Sequence, residues 1–246
     1  TASSGNHGLG LSTAAKLTGH NLTVVLPKTV ACEKLDKIQA LGVETILHSN
    51  DSGIAEQHAQ KLAKEQGKIY VSPYNDPQII AGQGTLAIEL LDQLPRLDVV
   101  YVSIGGGGLI SGIGSVLKAF SPKTRVVGVS AKNSAELAAS IRAGKMVKVD
   151  HHETLADGCA GGVDSDTITL GLGLEVIDDL IDCSEQQIKS GLQQIAWSEK
   201  MLVEGSAGLA YAAWQEDAQK NKNKISAVVL CGANFDKETL SPIVNS

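Results

Sequence analysis

Five glycines fall within eight positions, Gly105-Gly106-Gly107-Gly108 and then Gly112 after Leu109-Ile110-Ser111. They follow the apolar run Leu97-Asp-Val-Val-Tyr-Val-Ser-Ile104, and residues 109–120 place apolar side chains at helical spacing. A strand that runs into a loop without side chains and then into a helix N-terminus makes an anion cradle. Successive backbone N–H groups point into one space, and the helix dipole adds roughly half a positive charge there. A phosphate-sized dianion gains most from that arrangement, so the turn is expected to hold a phosphorylated small molecule. A second loop, Ser3-Ser4-Gly5-Asn6-His7-Gly8, leads into a helix expected over Leu9–Leu17. Its Ser and Asn offer caps, and its glycines let backbone N–H groups approach a ligand. Alone it reads as an ordinary capped helix start; with the first loop, the pair suits a cofactor phosphate and a substrate carboxylate.

Positioning these loops requires a regular framework, and strands alternate with helices nearly throughout. Strands are expected at Asn21–Leu26, Val43–His48, Lys68–Ser72, Leu97–Ile104, Arg125–Ser130, Asp179–Cys183 and Ile225–Leu230. Helices are expected at Cys32–Leu41, Ile54–Glu65, Gln78–Leu94, Gly108–Phe120, Ser134–Ala143, Ser184–Lys200 and about Ser206–Gln219, with a glycine-rich stretch near 157–173. Apolar strand runs alternating with helices imply an α/β fold whose mainly parallel sheets are covered on both faces. Pro73-Tyr-Asn-Asp-Pro77 breaks the alternation with two prolines. It divides a small, mobile unit of residues 1–75 from a larger one of 76–246. The chain opens on the Thr1–Gly8 loop with no strand before it, where a parallel unit would normally supply one.

Composition sets outer limits. With 246 residues and 26 glycines, the chain can bury a substantial core and is that of an ordinary globular α/β protein. A formal charge of −6 with no Lys/Arg block argues against nucleic acid as a partner. No apolar stretch approaches the ~18 residues of a membrane span, and the polar start lacks the basic region of a signal peptide. Cys32, Cys159, Cys183 and Cys231 show no CxxC pairing, so they read as free thiols of a cytoplasmic protein.

A dinucleotide-binding turn is the obvious competitor, but neither glycine cluster fits GxGxxG. Counting from Gly106 the sixth residue is Ser111, and from Gly8 it is Thr13. A Walker A lysine is absent too. The two loops, with Pro77-Gln-Ile-Ile-Ala-Gly-Gln-Gly-Thr85 between them and Leu230-Cys-Gly-Ala-Asn234 near the end, resemble the serine/threonine dehydratase and serine racemase family. These are pyridoxal-phosphate enzymes of the tryptophan-synthase-β-like fold (fold type II), and the resemblance covers essentially the whole chain.

The resemblance implies a set of roles. Gly105, Gly106, Gly107, Gly108 and Leu109 would bind the cofactor phosphate through backbone N–H groups, and Asn6 would hydrogen-bond the pyridoxal 3′-oxygen. Ser3, Ser4, Gly5, Asn6 and His7 would hold the substrate carboxylate, with Ser4 at the position that racemases use as a second acid/base. Cys231 would sit against the pyridine nitrogen, Glu204 near the ring edge, and Ala156-Asp157-Gly158 opposite. Tyr74, Gln83 and the segment 157–168 are candidates for the substrate side-chain pocket. Cys231 also stands where an α/β sheet gathers ligands, after the Val-Val-Leu run and before Gly-Ala-Asn. A neutral thiol there would leave the ring nitrogen largely unprotonated, a weaker electron sink that suits elimination. A buried structural cysteine is the alternative reading.

The implied activity is pyridoxal-phosphate-dependent β-elimination from a β-hydroxy amino acid such as L-threonine or L-serine, giving a 2-oxo acid and ammonia. Racemisation is the alternative, and a non-catalytic cofactor-binding fragment a third. The cofactor is expected in the cleft between the two units, in a homodimer. Some racemase-like relatives bind a divalent cation at positions matching Ser130, Ser134 and Glu136. With the first carboxylate replaced by serine no metal is expected, and adjacent His151-His152 point apart. The resemblance also implies a cofactor-bonded lysine upstream of the Ser-Ser-Gly-Asn-His-Gly motif. No lysine here, the earliest being Lys16 and Lys28, stands in a matching context. The chain is thus expected to lack the family's first several tens of residues and any C-terminal regulatory domain. Elimination would be nearly abolished if the lysine segment is truly absent.

Overall fold

Valine, isoleucine and leucine alternate in facing direction along short runs, and the strands at residues 99–103 and 125–131 bury both of their faces. The computed structural model describes residues 1–3, 5–30, 32–50 and 52–245. They divide into two compact units, Thr1–Pro73 and Tyr74–Ser246. All pairing between the named strands is parallel, as the alternation predicts.

In the first unit β1 (Thr23–Leu26) pairs with β2 (Glu44–Leu47). Val24 and Leu26 face Ile38 of α2 (Cys32–Gln39) and Leu9 of α1 (Asn6–Thr18). Val25 faces the other way, onto Ala55 and Ala59 of α3 (Ser52–Glu65). Two expectations need correction. Residues 1–3 are not merely a loop: Ala2 forms a parallel bridge to Val25, and the Val25 N–H donates to the Thr1 carbonyl at 2.9 Å. Residues 68–72 form no strand. Ile69 is 89 % exposed, although Tyr70 packs on the Ala2, Val25 and Ala55 cluster and the Thr1 hydroxyl donates to the Val71 carbonyl.

The second unit holds a sheet of order β5-β4-β3-β6, formed by β3 (Val99–Ser103), β4 (Arg125–Ala131), β5 (Asp179–Cys183) and β6 (Ser226–Val228). One face, carrying Val100, Val102 and Val126, is covered by α4 (Pro77–Gln93) and α5 (Gly108–Phe120), whose Ala87, Ile113 and Leu117 fill the layer. The other face, with Val99, Tyr101 and Val127, is covered by α8 (Glu185–Gln194) and α9 (Gly205–Glu216). Each fully buried Val or Ile in these layers contributes roughly 1.5–3 kcal/mol. Asp76 caps α4 by accepting from the Gln78 N–H at 2.7 Å, with Pro77 as its first residue. α4 and α5 approach closely where both lack side chains: a Cβ on Gly112 would lie 2.8 Å from the Gly84 nitrogen.

α6 (Glu136–Ala143) lies within the expected span, whereas α7 (Ile168–Val176) occupies part of the stretch read as glycine-rich, and α10 (Lys237–Val244) was not anticipated. The long helix expected over Ser184–Lys200 ends at Gln194 and passes into one π-helical turn, Ile195–Glu199.

A charged network closes one end of the sheet. Asp217 accepts from Arg125 at 2.6 Å and from the Tyr101 hydroxyl at 2.9 Å, and Lys220 lies 3.0 Å from its other oxygen. Asn221 donates to the same hydroxyl, and burial pushes the Tyr101 phenol up to about 12. Burial also raises the Asp217 carboxyl, but the hydrogen bonds from Arg125, Lys220 and Tyr101 outweigh it and hold the group below its ordinary value. A carboxylate depressed in the folded state contributes stability above its unfolded pKa of about 3.9 and loses it as pH falls. We therefore expect urea-unfolding stability to drop on acidification below about pH 4. Arg125→Met, which strands a buried carboxylate, should lower stability at pH 7 by about 3 kcal/mol and flatten that acid dependence.

Candidate functional site

The strand order reverses at β3: the chain passes from β3 through α5 to β4 on one side, while β6 arrives on the other. Loops leaving the carboxyl ends of β3 and β6 diverge at such a point and leave a crevice. Gly105–Gly108 leave β3 and Cys231–Asn234 follow β6, with the ladder continued by the Val229 N–H donating to the Tyr101 carbonyl at 3.0 Å.

The glycine turn has the form of a cradle. Gly107 is left-handed (φ 86°) and stands at the N-cap of α5, and no side chain caps the helix. Other parts of the unit occupy the space where side chains would be. A Cβ on Gly105 would lie 2.9 Å from the Cys159 Cα, and one on Gly108 2.9 Å from the Tyr74 Cα. On Gly106 it would strike the Tyr74 ring, and on Gly107 it would strike Leu137 and lie 3.0 Å from the Thr169 Cβ. The Thr169 hydroxyl donates to the Gly106 carbonyl at 2.7 Å and accepts from Thr167 at 2.7 Å. Leu109, next in the helix, is half-buried.

Opposite the turn, Glu204 precedes α9 and is 5 % exposed. Its N–H donates to the Gly232 carbonyl at 3.1 Å, and its Oε2 accepts from the Asn234 N–H at 2.9 Å. The 3₁₀ turn Asp157–Cys159 packs on the same group: a Cβ on Gly158 would lie 3.4 Å from Glu204 Oε1 and 3.0 Å from Ser206 Oγ. Burial, with Cys159 and Glu204 adding to it, pushes the Cys231 thiol well above the ordinary thiol range, so it is neutral at pH 7. Burial likewise takes Cys159 up to about 11. The fold thus brings Gly105–Leu109, Ala156–Gly158, Glu204 and Cys231 to one end of one sheet.

The remaining expected residues lie on other elements. Gln83 lies on α4 against Gly112, its Cβ 2.9 Å from where a Cβ on that glycine would stand. Tyr74, a candidate for the substrate side-chain pocket, packs its ring on the glycine turn. In the first unit, α1 starts at Asn6, so Asn6 and His7 belong to its first turn; Gly5 is the N-cap and no side chain caps the helix. The Ser3 hydroxyl accepts from the Gly5 N–H at 3.2 Å, and His7 Nε2 lies 3.0 Å from the Thr1 hydroxyl. That hydroxyl gives its proton to Val71, so it accepts from His7, which fixes the Nε2–H tautomer. Ser4 lies outside the described residues.

Sequence reasoning missed Thr169, which donates to the Gly106 carbonyl, and Asn75, which accepts from the Ile168 N–H; the Asp-Thr-Ile-Thr run at 166–169 carried a helix N-cap signal that went unread. It also missed how Glu136 is held. That carboxylate accepts from Lys148 at 3.1 Å, the Val163 N–H at 3.1 Å and His151 Nε2 at 3.0 Å, while His151 Nδ1 meets the Ser134 hydroxyl at 2.8 Å. Glu136 therefore ties the 145–163 segment to α6.

A parallel α/β unit with a side-chain-free cradle at its switch point defines a protein built around a phosphorylated ligand. Comparison with known proteins narrows the class: residues 1–232 match the family described as pyridoxal-phosphate dependent enzyme, and the chain belongs to that family. It is 34 % identical over 244 residues to an L-threonine ammonia-lyase of Thermotoga maritima, covering 99 % of this chain and 60 % of that protein. It is 33 % identical to a biosynthetic L-threonine dehydratase of Haemophilus influenzae, covering 97 % of the chain but only 47 % of the relative. Among solved structures, the processed form of threonine deaminase isoform 2 from Solanum lycopersicum superposes with a TM-score of 0.92 at 29 % identity, covering all of this chain and 72 % of that one. Maize serine racemase gives 0.90 at 29 % identity, covering 98 % and 74 %.

The cradle fits the family's cofactor: the turn carries no side chains of its own, and an uncapped helix N-terminus follows it. Gly107→Ala would add a Cβ both to a left-handed residue and against Leu137. Spectroscopic titration with pyridoxal phosphate should show affinity weakened by about tenfold or more, from strain of order 1–3 kcal/mol.

Proposed function

We propose that this chain forms the cofactor- and substrate-binding body of a pyridoxal-phosphate-dependent ammonia-lyase acting on a β-hydroxy amino acid, L-threonine or L-serine. The observation that carries the reading is the uncapped glycine turn beside a neutral cysteine at the ends of adjacent parallel strands, in a chain whose curated relatives are named threonine ammonia-lyases and dehydratases.

When bound, pyridoxal phosphate supplies an aldehyde for the substrate amine and a conjugated ring that accepts the electrons released at Cα. In this reading the amides of Gly105–Leu109 and the dipole of α5 hold the phosphate. Cys231 would stand at the ring nitrogen as an uncharged thiol and would leave it unprotonated, which suits a reaction that loses the β-hydroxyl. Glu204, anchored by Asn234, would stand at the ring edge. Ser3, Ser4, Gly5, Asn6 and His7 of the first unit receive the substrate carboxylate, Asn6 the ring's 3′-oxygen, and Gln83 lies toward the substrate side chain. The cytoplasm is the proposed compartment, supported by four free cysteines. No helix among the described residues is long and apolar enough to cross a membrane. A homodimer is proposed on the resemblance alone.

Racemisation is the second reading, favoured by the structural likeness to maize serine racemase. The test uses the protein that carries this chain, saturated with pyridoxal phosphate. It should release ammonia and a 2-oxo acid from L-threonine or L-serine, and Ser4→Ala should spare that release while abolishing any exchange between D- and L-enantiomers. Enantiomer exchange without 2-oxo acid would replace the lyase reading with the racemase one.

A further inference from the structure

A turn of four consecutive glycines cannot hold its own shape. Each glycine has more backbone freedom to lose than any other residue, and none has a side chain to pack. Amides that must converge on a phosphate therefore need to be held from outside, and the second unit supplies the means from two distant stretches.

Tyr74 lies across the turn. A Cβ on Gly106 would meet its ring, 2.7 Å from Cδ2 and nearer still to Cγ and Cδ1, and one on Gly108 would lie 3.1 Å from its Cβ. The side chain thus covers the turn at two alternate glycines. Its hydroxyl accepts from the Asp164 N–H at 3.0 Å. Asn75 continues the link: its Oδ1 accepts from the Ile168 N–H at 3.0 Å and its Nδ2 donates to Asp164 at 3.4 Å. The 164–169 segment fastened in this way ends on Thr169, which donates to the Gly106 carbonyl. The peptide joining Gly106 to Gly107 is planar and trans, so fixing that carbonyl toward Thr169 turns the Gly107 N–H to the opposite side.

We propose that Tyr74 and Asn75 are positioning residues for the phosphate cradle, acting as a strap that presses on the turn directly and, through Asp164 and Thr169, sets the direction of its amides. The proposal rests on the cofactor reading above and adds to it a determinant of phosphate recognition. A strap of this kind controls how much the phosphate contributes to binding, not how well the rest of the ligand is held.

The test compares affinities for pyridoxal 5′-phosphate and for pyridoxal, which lacks the phosphate, by spectroscopic titration. Variants are Tyr74→Leu, Tyr74→Phe and Asn75→Ala, with Tyr101→Phe as a control in the charged network. The preference for the phosphorylated compound should fall about tenfold in Tyr74→Leu. In Tyr74→Phe and Asn75→Ala, which each lose hydrogen bonds of the strap, it should fall about two- to fivefold. Pyridoxal affinity should barely change, and the control should keep the native preference. Folding is checked by circular dichroism, and Tyr74→Phe keeps the ring should the leucine variant unfold. Equal weakening toward both compounds, or an unchanged preference, would overturn the strap while leaving the cofactor reading intact. Failure of the native protein to prefer the phosphorylated compound would remove both.

Discussion

The structure of the second unit depends on one constraint: the backbone between β3 and α5 must run close to its neighbours on every side without a side chain intervening. Cys159, Tyr74, Leu137 and Thr169 each stand where a Cβ of the turn would be. The rest of the architecture serves that approach. α5 seats deeply against α4 through Gly84 and Gly112, and β3 is buried along its whole length. The segments after β4 fold back to bring residues 157–169 onto the turn, and Glu136 pins them from beneath.

Charge is distributed accordingly. Two buried carboxylates hold ionic contacts in the second unit: Asp217, with Arg125 and Lys220 beyond the end of α9, and Glu136, with Lys148 and His151 beside the 157–169 segment. At the carboxyl ends of β3 and β6 the groups are amides and neutral thiols, with Glu204 as the nearby carboxylate. A sheet that is locked electrostatically at one end can leave the other end to the field of a helix N-terminus, where a dianion meets little competition.

Much of this was legible in the residues. β3, α5 and β5 follow from apolar runs bounded by glycine, aspartate and serine, and the structure places α5 and β5 at the expected residues. α7 was not, because Ile168-Thr-Leu-Gly-Leu-Gly-Leu-Glu-Val176 is apolar on all sides and its glycines read as a loop. They instead permit close packing: a Cβ on Gly173 would lie 2.7 Å from Ile141 of α6, and one on Gly114 of α5 2.5 Å from Val176. Residues 68–72 have strand-like composition but form no strand. The glycine turn and Cys231 were visible because their positions at strand ends and a helix start are local properties, whereas Glu204 entered only through the family resemblance. The roles of Tyr74, Asn75 and Thr169 toward the turn were not, since they depend on contacts across thirty to ninety positions that no local pattern records.

The link between residues 164–169 and the turn has an evolutionary consequence. The stretch from Ala160 to Thr167 lies largely outside regular helix, where insertions and deletions are ordinarily tolerated. Here its length sets the register at which Thr169 meets Gly106, so adding or removing one residue would shift a hydrogen bond at the floor of the crevice. Lineages that vary this loop would have to change Tyr74 and Asn75 in step, which makes these positions a place to look for paired substitutions.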